Sequence, residues 1–257
     1  MLSYETHAGH GPFLLLIHGA LSNSAQWQAN ISALSAFCRP VTAELLGHGD
    51  SPSPQNEDAY TPSAYADYFE TIRAELGTDS WFVCGYSLGA GLAINYALTH
   101  QQRISGLVFT NSMSAFVEQK QANRWQESAS KSAAAIAQDG LKAIEKMPIH
   151  PRHAMGLPKA LHQPLLARSK LLNPTGIAQM LAVTVPRAST RDRVAQNRVP
   201  ALLLNGVREK RFQPYAEFAE QQMPLLTVER IEAGHGVNMQ APVAFNDAVQ
   251  GFIASCA

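Results

Sequence analysis

The sequence predicts an α/β fold, with a mostly parallel central sheet flanked by helices and a helical insertion in its second half. Three observations predict it. Short apolar runs alternate with helically spaced segments through the first 112 residues. That rhythm stops near Met113 and resumes near Pro200. One run opens directly into a glycine-bracketed serine, Gly85-Tyr86-Ser87-Leu88-Gly89, and a helical pattern follows at once. Strands separated by helices pair in parallel, because each connection has to cross back over the sheet.

The first run, Phe13-Leu14-Leu15-Leu16-Ile17, is continuously apolar and ends at His18-Gly19, as a strand buried on both faces does. Ser24 to Phe37 carries Trp27, Ile31 and Leu34 at helical spacing. Pro40 to Ala43 is a second strand, leading to the turn-rich stretch Gly47-His48-Gly49-Asp50-Ser51-Pro52. Thr61 and Pro62 read as N-cap and first residue of a helix that stops at Gly77. Trp81 to Cys84 is a strand, Leu88 to His100 a helix and Ile104 to Thr110 a strand. From Met113 to Ala188 no strand is legible: Ala122 to Lys146 reads as one Ala-rich helix, and five prolines from Pro148 to Pro174 punctuate shorter pieces. Strand and helix alternate again from Pro200 to Asn205, Pro214 to Gln222, Leu225 to Ile231 and Pro242 to Ile253. The expected organisation is a core of residues 1–112 and 190–257, with a helical cap at 113–189.

With 257 residues, 46% of them apolar, the chain is long enough to bury one large core. Its 20 Lys+Arg balance 20 Asp+Glu, which gives no electrostatic footprint for nucleic acid. No stretch is long and apolar enough to span a membrane, and the N-terminus lacks the basic and apolar regions of a signal peptide. Three scattered cysteines form no disulfide or metal framework, so the expected compartment is the cytoplasm. No motif calls for a metal or cofactor. The expected partner is a small-molecule substrate, and the sequence leaves the oligomeric state open.

The serine motif carries the chemistry. A serine on a sharp strand-to-helix turn sits at strained backbone angles, so the residues two before and two after must be small. The helix then aims its N-terminus at the reacting centre, where free N–H groups favour a developing oxyanion. Together with His18-Gly19-Ala20, Gly47-His48-Gly49-Asp50-Ser51 and Gly234-His235-Gly236, this motif resembles the α/β-hydrolase superfamily over essentially the whole chain. The resemblance implies Ser87 as nucleophile and His235 as the base that takes and returns its proton. It implies oxyanion donors at the N–H of Ala20 and Leu88. Family members often show Gly-x-x-Asp after the strand that follows the cap; here Gly206-Val207-Arg208-Glu209 puts Glu209 at the acid position. Arg208, Lys210 and Arg211 crowd Glu209, and Asn111 and Asp192 are the alternatives to it.

Tyr86, Trp125, Met147, Met155 and Leu181 are the candidates for lining a substrate pocket beneath the cap. His150, His153 and His162 read as solvated cap histidines, and Arg124 and Arg168 as solvated surface. Cys84 reads as a buried strand residue. His18 and His48 read as structural, holding their loops. A serine at the elbow separates this chain from the haloalkane dehalogenases and epoxide hydrolases of the superfamily, which use aspartate there. The first expectation is cleavage of a small carboxylic ester, lactone or thioester through an acyl-serine. The cap stretch Arg124-Trp125 through Gly140-Leu141, with Asn173-Pro174-Thr175-Gly176-Ile177-Ala178, loosely resembles the 3-oxoadipate enol-lactonases, and the acid loop Gly206 through Phe212 is similar to that of the menaquinone-pathway synthase that eliminates pyruvate. The latter typically carries an arginine four residues after the nucleophile, where this chain has Gly91. Carbon–carbon cleavage or pyruvate elimination on the same triad is the second expectation, and a non-catalytic ligand-binding homologue the third.

Overall fold

The computed structural model describes residues 1–154 and 157–256. Seven strands form one sheet: β1 Tyr4–Thr6, β2 Phe13–Ile17, β3 Arg39–Ala43, β4 Trp81–Gly85, β5 Ile104–Thr110, β6 Ala201–Gly206 and β7 Leu226–Ile231. Their order is β1-β3-β2-β4-β5-β6-β7. Only β1 is antiparallel, pairing with β3; all other neighbours are parallel.

Successive side chains of a strand point to opposite faces, and in the central strands both faces are apolar. Phe13, Leu15 and Ile17 of β2 enter one core layer, and Leu14 and Leu16 enter the other. In β4 the layers divide as Trp81 and Val83 against Phe82 and Cys84, and in β6 as Ala201 and Leu203 against Leu202 and Leu204. The first layer is closed by helices α2 (Pro62–Glu75) and α3 (Leu88–Thr99), through Tyr65, Phe69, Ile72, Leu92 and Tyr96. The second is closed by Trp27 and Leu34, flanking and on the short helix α1 (Gln28–Leu34), and by Phe245, Val249 and Ile253 near the C-terminus. Cys84 is fully buried, where desolvation pushes its thiol pKa up and keeps it an inert apolar residue. Thr61 caps α2 by accepting the Ala64 N–H at 3.2 Å, with Pro62 as first helical residue.

Between β5 and β6 the described residues are helical or irregular. Helices α4 (Met113–Phe116), α5 (Gln119–Asp139), α6 (Leu141–Glu145) and α7 (Lys159–Arg168) lead to α8 (Pro174–Gln179). This last helix continues without a break through a π-helical turn, Met180–Thr184, into α9 (Val185–Arg187). The single helix expected over Ala122 to Lys146 is divided: Gly140 has φ +58°, which ends α5 and starts α6. Pro164 does not punctuate, but lies inside α7, whose Leu161 and Leu165 pack into the core. Arg168 is not free surface either, because its Nη2 reaches the buried Glu44 Oε1 at 2.8 Å. Asn23 Nδ2 donates to Leu165 O at 3.1 Å, and Asn173 N–H to Gly47 O at 2.9 Å. These bonds dock the helical segment on the loops after β2 and β3. After β6 come α10 (Gln213–Gln222), α11 (Val237–Gln240) and α12 (Pro242–Ser255). Among the described residues no helix is long and apolar enough to cross a membrane.

The order of strands places the site. The chain leaves β2 toward β3 on one side and leaves β4 toward β5 on the other, so a crevice opens between the carboxyl ends of β2 and β4. Ala20 and Ser87 stand there. The turn at Ser87 closes only because glycine flanks it: a Cβ on Gly89 would lie 2.4 Å from Ile17 O. Gly251 in α12 is the opposite case, with nothing within 4 Å of an added Cβ. Gly89→Ala is therefore expected to destabilise the protein by at least about 2 kcal/mol, and Gly251→Ala to stabilise it by about 0.5–1 kcal/mol. Urea unfolding midpoints check both signs.

Candidate active site

Ser87 has φ +54° and ψ −118°, a conformation that side chains other than glycine rarely adopt. Holding it costs of order 1–3 kcal/mol. The neighbouring glycines make room. A Cβ on Gly85 would lie 2.3 Å from Gly89 O, and one on Gly19 would lie 2.8 Å from the Tyr86 ring and 3.0 Å from Ser87 Cβ. The result is a half-exposed hydroxyl at the tip of β4, at the start of α3.

The loop after β2 approaches that tip. Leu21 has φ +57°, and its N–H donates to His48 Nε2 at 3.2 Å. The His48 Nδ1–H donates to Leu46 O at 3.0 Å, which fixes the tautomer that leaves Nε2 as acceptor. Leu45 N–H donates to His18 Nε2 at 3.0 Å, and Gly19 N–H to Gln26 Oε1 at 3.3 Å. The two histidines thus tie the His18-Gly19-Ala20 loop to the Gly47-His48-Gly49 turn. Burial, the largest influence, lowers the His48 pKa to about 3 and keeps the ring neutral. Among the described residues neither the Ala20 nor the Leu88 N–H has an acceptor, so both remain available to a ligand.

Glu209 and His235 meet at the ends of β6 and β7. His235 Nδ1 lies 3.0 Å from Glu209 Oε1 and 2.9 Å from Oε2. Since the carboxylate can only accept, Nδ1 carries the proton and Nε2 is left as the basic nitrogen. Gly206 lets the two loops touch, as a Cβ there would lie 2.1 Å from Gly234 O. Asn111 at the end of β5 supports the pair: its Nδ2 donates to Glu209 Oε2 at 2.7 Å and to Gly206 O at 3.0 Å, and its Oδ1 accepts from Gly206 N at 2.9 Å. Burial would raise the Glu209 pKa, but the bond to and charge of His235, with Asn111 and then Arg211, outweigh it and hold the carboxyl below its ordinary value. Asp192 is exposed at another place in the chain. Arg208 is spent on Glu232 O, and Lys210 lies 3.5 Å from Val207 O.

Ser87 and His235 open on one cavity of about 300 Å³. Ala20, Ser22 and Tyr86 also line it from the core, and Pro148, Ile149, His150, Pro151 and His153 line it from the helical segment. The Tyr86 ring stands edge-on to the His235 ring, with centroids 5.2 Å apart. Of the other expected pocket residues, Trp125 is half-buried on α5, and Met147 and Leu181 pack against the core; none of the three lines this cavity. The reason is that α5 lies against α8 and α9, which leaves Pro148, Ile149, His150, Pro151, His153, Ala154 and Leu157 to line the cavity that the serine opens on. Met155 lies outside the described residues. No lysine or arginine lines the cavity among the described residues. Gly91 faces Ala188, whose Cβ would be 3.2 Å from an added side chain. His150 is not solvated: it is only 2% exposed.

Residues 12–242 match the family described as alpha/beta hydrolase fold. The chain belongs to that family. Among its curated relatives, the α/β hydrolase is 25% identical over 252 residues to a putative 2-succinyl-6-hydroxy-2,4-cyclohexadiene-1-carboxylate synthase of Bacillus subtilis, covering 94% of this chain and 90% of the relative. It is 25% identical over 247 residues to the carboxylesterase YbfK of Bacillus subtilis, covering 94% and 80%. It also matches an uncharacterized protein of Mycobacterium bovis, Mb2734, at 33% identity over 104 residues; there it spans 40% of this chain but only 30% of the relative. The solved structure of MenH from S. aureus overlays with a TM-score of 0.86 at 20% identity, covering 98% of both chains, a likeness of fold.

The neutral His48 gives this site a titration signature. Its folded pKa is depressed from 6.5 to about 3, so its contribution to stability is complete above pH 6.5 and is lost as pH falls toward 3. Between those values the wild-type protein is expected to lose stability more steeply than His48→Gln, by up to about 1.4 kcal/mol per pH unit. Unfolding midpoints at half-unit pH steps measure the difference. Parallel curves would contradict it.

Proposed function

We propose that this α/β hydrolase is a serine esterase of small carboxylic esters, lactones or thioesters, working through an acyl-serine. The observation that carries the reading is that a strained, half-exposed serine and a histidine whose Nδ1 is held by a half-buried carboxylate share one cavity.

In this mechanism His235 Nε2 takes the Ser87 hydroxyl proton as Oγ bonds to the carbonyl carbon. Glu209 keeps the ring oriented and stabilises the imidazolium, and Asn111 keeps Glu209 in place. The carbonyl oxygen gains negative charge and is met by the N–H groups of Ala20 and Leu88. The intermediate collapses, and the leaving alcohol or thiol departs with the proton from His235. Water then enters, gives its proton to His235 and attacks the acyl carbon; Ser87 leaves with that proton and the carboxylic acid is released. We read residues 113–189 as the cap that closes this chamber and sets its specificity. The three cysteines are unpaired, which fits a reducing compartment, the cytoplasm.

Pyruvate elimination and carbon–carbon cleavage use the same residues and remain the second reading. The cavity lining favours the ester reading, since no lysine or arginine among the described residues offers a counter-charge to an anionic substrate. A fluorophosphonate probe is expected to label the native protein and not Ser87→Ala, and the native protein to hydrolyse short p-nitrophenyl esters. Glu209→Gln is expected to lower kcat by about 10³–10⁴-fold with little change in the thermal midpoint. Neither label nor turnover would leave the fold as a ligand-binding homologue.

A further inference from the structure

His150 is the one histidine of the helical segment that is buried, and it faces the reaction cavity. It caps the short turn Pro151–His153: its Nδ1 accepts the Arg152 N–H at 3.2 Å. An accepting Nδ1 leaves the ring proton on Nε2. Among the described residues that Nε2–H has no partner, whereas His153 and His162 spend their Nε2 atoms on Glu145 O and Pro151 O. Burial, the largest influence, lowers the His150 pKa, so the ring stays neutral and offers one N–H rather than a charge. Among the described residues this N–H is not one of the solvent-sealed side-chain atoms that lack a partner, so it opens toward the cavity, where an oxygen of a ligand can reach it. Ser22 also lines the cavity, but its hydroxyl can donate or accept and so selects less.

We propose that His150 is a specificity-determining, substrate-binding residue, whose neutral Nε2–H donates to a second oxygen of the substrate. The favoured substrates are then small, uncharged esters or lactones that carry a carbonyl, ether or hydroxyl oxygen apart from the scissile group. This rests on the esterase reading above. A cavity of about 300 Å³ sits at the small end of ligand sites, which keeps such a molecule to a short acyl chain and a short alcohol. A hydrogen-bonding site of this kind discriminates by what it leaves unpaired: a purely alkyl ester of the same shape buries the donor without an acceptor.

The test compares kcat/KM within two shape-matched pairs, using the purified full chain. One pair varies the acyl side, p-nitrophenyl 4-oxopentanoate against p-nitrophenyl 4-methylpentanoate. The other varies the alcohol side, 2-methoxyethyl acetate against butyl acetate. The oxygen-bearing member of at least one pair is expected to be favoured about tenfold. His150→Asn places an amide oxygen near Nδ1, so it keeps the cap on Arg152 and loses the distal donor; it is expected to erase the preference. His150→Gln places an amide N–H near Nε2, so it loses the cap and keeps the donor; it is expected to retain the preference. A purely structural role predicts the reverse order of the two variants, and that order would overturn the proposal. Equal rates within both pairs for the native protein, alongside normal fluorophosphonate labelling of Ser87, would overturn it while leaving the esterase reading intact. Absence of both turnover and label would overturn the two together.

Discussion

The backbone at Ser87 governs the rest of the molecule. A residue at φ +54° needs its neighbours to hold it there, and the neighbours do so by contact. Gly85 touches Gly89, Gly89 touches the end of β2, and Gly19 touches both Tyr86 and Ser87. The few kcal/mol of strain are offset by a sheet whose central strands are buried on both faces. The bend in turn decides what else can stand nearby. Only the loops at the carboxyl ends of parallel strands reach it, and the oxyanion-side loop, Asn111, Glu209 and His235 all come from such ends.

Two groups of polar residues, one half-buried and one buried, then settle protonation. Around Glu209 the paired hydrogen bonds to His235 and Asn111 favour the ionised carboxylate despite burial. Around His48, burial favours the neutral ring, which holds the Leu21 N–H and with it the path of the loop bearing Ala20. Glu44 is the link to the helical segment. It is buried, accepts from the Ser24 N–H and hydroxyl, and meets Arg168 of α7. A single carboxylate thereby joins the loop after β2 to a helix that packs above the site.

Much of this was legible in the sequence, for reasons that differ by element. The runs Phe13 to Ile17, Trp81 to Cys84 and Ala201 to Leu204 read as strands because parallel strands buried on both faces must be continuously apolar. Thr61-Pro62 read as a helix start because the side chain and ring act locally. The family resemblance brought Ser87, Glu209 and His235 together by motif, and the structure places Glu209 and His235 in direct contact and Ser87 on their cavity. What stayed hidden depends on partners distant in the chain. Three-residue β1 exists because β3 offers it a ladder. By its position in the sequence Asn111 reads as a replacement for the acid, whereas it grips the acid; that role needs β5 and β6 side by side. Arg168 looked solvated because Glu44 is 124 positions away. His150 looked solvated because nothing near it in sequence shows that its turn folds over a cavity.

On the proposed mechanism, the hydroxyl held on that bend becomes acylated during turnover. Rapid acid quench of the native protein with a p-nitrophenyl ester, followed by peptide mass analysis, tests it most directly. A burst of p-nitrophenol within the first turnover and an acyl adduct on the peptide containing Ser87 are expected. Steady turnover with the acyl group on another residue, or on none, would contradict it.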